Sequence, residues 1–498
     1  MKSLTNLCNV VRRPCATKAT KATSGNVARS LLAAAFILAG SGAVHAQAER
    51  YLFVQTPEGQ VYEEVRGSIA SAKAIHYAAA PVAGLRWRAP QRPESRSEIL
   101  GADDYGPACP CSEAGRSSSN EDCLTLNIFT PSEIEQPLPV MVWIGSASAP
   151  HVREYELAQL LQQGIVLVTL NYRQGAFGWF VQGGLKPDNP DEPSADYGMM
   201  DQIAALRWVN VNIGAFGGDA NNVTLVGSHL GGTSIAMLML STDASGLFQK
   251  AIVHSAPLRA RARSAKDAEL DSEALAHAVT PEKAALFSTL RKVPSAAICK
   301  AHLRLSNQHP SASLPHIIDG KLVAQDIADG FTAGTQGHIP LIVGSGYDRA
   351  NDVDETNLIE KGHDPPDSRV VADRLWTEPA RLIARLHSNT GSPTYRYVIK
   401  RAAFGSPDPA PGTELNLLLG GSGRRFSATP HERDPSSMLA KYFVNFAKTG
   451  NPNGGGPPNW DPWSTNESTL VVSDADLELR QNPDGEQLDR LEMMHTSH

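Results

Sequence analysis

The chain has 498 residues, of which 41% are hydrophobic and 19% charged, with a formal net charge of −7. That length supports a large buried core, and the hydrophobic content is that of an ordinary globular protein. The acidic balance argues against nucleic acid and anionic membrane surfaces as partners.

The first 46 residues read as an export signal. Lys2, Arg12, Arg13, Lys18, Lys21 and Arg29 make a basic start without acids. Leu31 to Ala39 form a short apolar core, and Val44-His45-Ala46 offers a small-residue cleavage site, with Ala48 as the alternative. The apolar core is too short to span a bilayer comfortably. The expectation is a secreted or periplasmic protein with no membrane span after cleavage. Loss of the six cations leaves 39 basic residues against 52 acidic, a net charge near −13.

Export permits disulfides. Cys109, Cys111, Cys123 and Cys299 lie beyond the signal. Either cysteine of the Cys109-Pro110-Cys111 pair could bridge to Cys123 across a short loop. The pair has no matching second pair or histidine cluster, so no zinc site is expected.

Val140 to Ile144, Ile165 to Leu170, Val223 to Val226 and Ile339 to Val343 are short, β-branched, continuous apolar runs. Such runs fit strands buried on both faces. Ala251-Ile252-Val253, ending at His254, is a further candidate strand. Met200 to Val211 has apolar residues about one turn apart and predicts a helix. Alternating strands and helices imply a mostly parallel, doubly wound sheet with right-handed crossovers. Ala260 to His309 is Ala-rich and helical in pattern. Asp348 to Ser368 reads as a loop, Met438 to Ala447 as an amphipathic helix, and Thr449 to Pro458 as a turn-rich segment.

The most telling segment is Gly227-Ser228-His229-Leu230-Gly231, between Val223–Val226 and the small-residue run Gly232 to Ala236. A strand, a tight turn flanked by glycines and a helix form a nucleophile elbow, which exposes one strained residue at its apex. The apex here is His229.

Several blocks surround this segment. They are Gly84-Leu85-Arg86-Trp87 with Pro90-Gln91, Glu121 to Asn127, Asn171-Tyr172-Arg173 with Gly175, Phe177 and Gly178, and Asp201-Gln202 with Ala205 to Val209. Phe216-Gly217-Gly218-Asp219 leads into the elbow, and Phe446 to Asn453 closes the series. In that order and spacing the chain resembles the type-B carboxylesterases from about residue 51 to about residue 470. The resemblance implies an α/β-hydrolase fold: a central, mostly parallel sheet with helices on both faces. It implies one such domain over residues 47–498, no cofactor, and a disulfide from Cys109 or Cys111 to Cys123, with Cys109 better placed.

The positions that carry the family's chemistry depart from it. The nucleophile position is His229, the acid position Arg349 and the base position Pro411. An arginine repels an imidazolium, and proline has no side-chain proton acceptor. The oxyanion-loop equivalents are Gly145 and Ser146, followed by Ala147, with the amide of Leu230 as a further donor. Ser228 is adjacent to the apex, where its hydroxyl should point away from the reaction site. Asp348, Asp352, Asp354 and Glu355 read as a solvated acidic loop, and His431 as a surface residue. His151, His229 and His254 lack metal-ligand spacing, so no metal is expected. The sequence therefore predicts an exported carboxylesterase scaffold, catalytically impaired or inactive, with a small ester or hydrophobic ligand possible in its former cleft. The competing reading is an active ester hydrolase built around His229 and Ser228. No protein partner is identified.

Overall fold

The structure is a computed structural model. It describes residues 50–496 except 103, 113–118, 146–159, 182–194, 281–286, 309–315, 347–367, 401–434 and 474–475. The proposed signal, Ser146, His151, Asp348, Arg349, Asp352, Asp354, Glu355, Pro411 and His431 lie outside these residues.

Twelve strands form one sheet. It opens with β1 (Arg50–Thr56), β2 (Gly59–Arg66), β3 (Ile69–His76) and β4 (Thr125–Pro131). The central strands are β5 (Leu138–Ile144), β6 (Val166–Leu170), β7 (Gly218–Ser228) and β8 (Lys250–His254). A separate pair, β9 (Arg263–Ser264) and β10 (Ile317–Ile318), lies outside the sheet. The sheet closes with β11 (Leu341–Gly346), β12 (Thr394–Ile399), β13 (Ser468–Val472) and β14 (Leu477–Gln481). The spatial order is β1-β2-β3-β4-β6-β5-β7-β8-β11-β12-β13-β14. From β6 to β13 all neighbours are parallel. Antiparallel strands extend both edges.

The four continuous apolar runs all fall on parallel strands. Strand side chains alternate between faces, and both faces here are covered. Val140, Val142 and Ile144 join one core cluster with Ile203 and Leu206 of α1 (Tyr197–Asn212) and Ile235 and Leu238 of α2 (Leu230–Leu240). Met141 and Trp143, between them in sequence, join the opposite cluster. Their partners there include Leu439, Tyr442 and Phe443 of the helix Pro435–Thr449. Each such side chain contributes roughly 1.5–3 kcal/mol by leaving water. This is the expected α/β-hydrolase arrangement, with helices on both faces.

Cys109 is bonded to Cys123, with Cα atoms 5.2 Å apart. Cys111 is bonded to Cys299 on the helix Ser295–Gln308, across a sequence separation of 188. The second bridge is new relative to the sequence expectation. It packs against Gly175 at φ +51, where a Cβ would stand 2.9 Å from both Cys111 Cβ and His302 Nε2.

Candidate active site

Parallel α/β sheets place their sites at the carboxyl ends of the strands, and the elbow lies there. β7 ends at Ser228, α2 begins at Leu230, and His229 joins them at φ +51, ψ −122. The turn is held from both sides. His229 N donates to His254 O at 3.0 Å, and His229 O accepts from Thr233 N at 2.9 Å and Thr233 Oγ1 at 3.2 Å.

The glycines are required by contact as well as conformation. A Cβ on Gly227 would stand 2.8 Å from Ile144 O, and one on Gly232 2.8 Å from Ala256 Cβ. The half-buried ring of His229 stacks on Trp376, with centroids 5.5 Å apart and planes 29° from parallel. Trp376 sits in a π-helical turn, Asp373–Thr377, that leads into the helix Glu378–Ser388. Such turns re-aim side chains within a helix. Here one brings an indole under the elbow.

Gly145 follows β5 beside the elbow, and its carbonyl accepts from the Tyr172 hydroxyl at 2.6 Å. Burial raises the Tyr172 pKa, which keeps it a donor. Leu230 is the first residue of α2, so its amide belongs to the helix N-terminus and has no intrahelical acceptor. Ser228 is buried at the end of β7, opposite His254 in the ladder. The structure therefore brings Gly145, Ser228, His229 and Leu230 together.

Two polar clusters near the elbow were not legible in the sequence. Behind α2, Gln202 Nε2 donates to Ser234 Oγ at 3.1 Å, and His316 Nε2 lies 3.4 Å from the same oxygen. His316 Nδ1 is 4.0 Å from Asp196 Oδ1, which accepts from Ile317 N. Burial pushes the His316 imidazole down to about 3 and the Asp196 carboxyl well above its usual range. At the end of β8, His254 lies between Tyr397 and Ser255. Among the described residues no group of three or more His, Cys, Asp or Glu side chains is placed to hold a metal ion.

The loop carrying Tyr172 is anchored by a buried ion pair. Arg173 Nε and Nη2 each donate to Asp201 at 2.7 Å, and Arg173 N donates to the same carboxylate at 3.1 Å. This pairing explains why Asn171-Tyr172-Arg173 and Asp201-Gln202 occur together in one chain.

The chain is similar to known proteins along most of its length. The carboxylesterase family model matches residues 52–361 and 365–490. Para-nitrobenzyl esterase of Bacillus subtilis (strain 168) is 29% identical over 88% of this chain and 98% of its own length. Liver carboxylesterase 1 of Oryctolagus cuniculus is 29% identical over 80% of this chain and 84% of its own. A solved para-nitrobenzyl esterase superposes with a TM-score of 0.76 at 27% identity, covering 88% of this chain and 99% of that one. With the parallel sheet, the elbow on β7 and nearly the whole described chain matched, the protein belongs to the carboxylesterase family.

Proposed function

We propose that this chain is an exported carboxylesterase-family protein whose elbow no longer works as a serine hydrolase, so that it is catalytically impaired or inactive at that position. The observation that carries the reading is His229 at the strained apex between β7 and α2. Arg349 and Pro411 at the acid and base positions support it from the sequence. Loss of one member of a serine triad costs roughly 10⁴- to 10⁶-fold, and loss of all three costs little more. The oxyanion hole and binding alone give about 10³- to 10⁴-fold over water. Ser146 and Ala147 alter even that loop.

The family's cleft at the carboxyl edge of the sheet would then serve to bind a small ester or hydrophobic ligand, within one domain over residues 47–498. Both disulfides fit a secreted or periplasmic location, and no helix among the described residues is long and apolar enough to cross a membrane.

The deciding experiment is hydrolysis of para-nitrophenyl acetate by the purified protein and by His229→Ala. The reading expects any rate above that of free imidazole to be indifferent to His229→Ala. A fast rate abolished by that substitution would establish the competing reading, an active site built on His229 and Ser228.

A further inference from the structure

The neighbouring strand repeats the elbow's backbone feature. Ser255, immediately after β8, has φ +43, beside His229 at φ +51. Non-glycine residues in such conformations are strained and persist where the surroundings hold them. Here the holding groups come from β11. Ser255 N donates to Gly344 O at 2.8 Å, and Ser255 Oγ accepts from Gly346 N at 2.9 Å.

The turn folds Ser255 back onto the side chain that precedes it. Its Oγ lies 3.1 Å from His254 Nε2, and His254 Nδ1 lies 2.6 Å from the Tyr397 hydroxyl on β12. The two rings lie 8° from parallel. Gly344 makes room for this contact, since a Cβ there would fall inside the Tyr397 ring. The backbone oxygen of His254 is also the acceptor for His229 N. A hydroxyl, an imidazole and an orienting oxygen therefore stand in order, one strand from the elbow.

Nucleophile against base, with the base oriented by a third group, is the geometry that activates a serine. We propose that Ser255 is a second, activatable nucleophile of this chain, with His254 as its general base and Tyr397 as the group that orients the base. The inference rests on the reading that the elbow has lost its own nucleophile. In the working tautomer His254 Nδ1 donates to the Tyr397 oxygen and Nε2 accepts from Ser255. With an activated ester, the Ser255 Oγ–acyl bond forms as the bond to the leaving alcohol breaks. The hydroxyl proton passes to Nε2 and then to the leaving group, and water releases the acid. With a fluorophosphonate, the Oγ–phosphorus bond forms and fluoride leaves with the proton. Ser255 is only 1% exposed, so its close surroundings favour small acyl or phosphonyl groups.

The test is incubation of the full-length folded protein with ethyl fluorophosphonate, followed by peptide mass spectrometry. The expected result is close to one adduct per chain, on the peptide containing Ser255. His254→Asn should slow labelling by about 10²-fold or more, the usual worth of a general base. Tyr397→Phe keeps the ring and its stacking and should slow labelling by a smaller factor. No adduct at Ser255 in the folded protein, or a rate indifferent to His254→Asn, would overturn the proposal. If His254→Asn does not fold, an unchanged rate in Tyr397→Phe overturns it instead. Ester turnover that depends on His229 would refute the elbow reading, whereas an absent Ser255 adduct refutes only this one.

Discussion

A Cβ on Gly231 would fall on the carbonyl oxygen of Ile144. The end of β5 and the start of α2 thus touch backbone to backbone, and this contact sets the height of the elbow. The blocking atom is main chain and cannot rotate away. Gly231→Ala should destabilise the protein by about 1–3 kcal/mol or more, as overpacking does. Gly214, with open space at its Cβ and no positive φ, is the control. Gly214→Ala should be neutral or stabilising by up to about 1 kcal/mol. Urea unfolding of the two variants checks the pair, and equal midpoints would refute the contact argument.

Restoring the serine should not restore the enzyme. His229→Ser supplies an apex hydroxyl, but under the proposed assignment Pro411 stands at the base position and offers no proton acceptor. Hydrolysis of para-nitrophenyl acetate should stay about 10⁴-fold or more below that of an intact serine hydrolase. Substantial recovery in this single variant would show that the base has been assigned to the wrong residue.

The Arg173–Asp201 pair is buried on both sides, with 3% and 0% side-chain exposure. Asp201→Asn leaves the guanidinium without its counter-charge in a dry site. The expected cost is about 3–5 kcal/mol. Asp219→Asn, at the half-buried start of β7, should cost less by comparison. Thermal melts of both variants at neutral pH make the comparison.

His316 and Asp196 make opposite contributions to acid stability. An imidazole in the unfolded chain titrates near pH 6.5, while burial holds His316 down at about 3. Unfolding between those values takes up a proton. The stability from His316 is therefore complete above about pH 6.5 and is lost as pH falls toward 3. Asp196 is raised by burial, so unfolding releases its proton above about pH 4 and its contribution is lost as pH rises. His316→Gln should remove the first effect alone. Between about pH 4.5 and 5.5 the pH slope of unfolding free energy should fall by close to one proton, about 1.4 kcal/mol per pH unit. Urea titrations across that range measure it, and an unchanged slope would mean that His316 does not titrate on unfolding.

Legibility in the sequence followed locality. The parallel strands β5, β6, β7 and β8 announced themselves because burial on both faces leaves an uninterrupted apolar run. Ile339 and Pro340 read as strand but precede it. β11 begins at Leu341, whose amide meets Pro393 O, and proline has no N–H to give the ladder. β12 escaped because Arg396 interrupts Thr394–Ile399. That guanidinium is fully buried, bonded to Thr469 and set over the Trp463 ring. The elbow was readable because strand, glycines and helix are contiguous. The meeting of His254 with Tyr397 was not, since β11 stands between their strands and 143 residues separate them. The Cys111–Cys299 bridge had no local signal either, whereas Cys109–Cys123 followed from the family pattern.

The two disulfides place a demand on how the chain is made. Cys109 and Cys123, 14 residues apart, can be joined as soon as both reach an oxidising compartment. Cys111 has to wait for a partner 188 residues downstream. Throughout that interval its thiol sits two residues from a bond it can attack, and thiol–disulfide exchange needs no further reagent. Oxidative folding should therefore pass through a stage in which Cys111–Cys123 competes with the native bridge. A secretory host lacking a disulfide isomerase should yield less native protein, and alkylation trapping during oxidative folding should capture the Cys111–Cys123 form. Replacing both Cys111 and Cys299 by alanine should free production from the isomerase while giving up about 2–5 kcal/mol of stability.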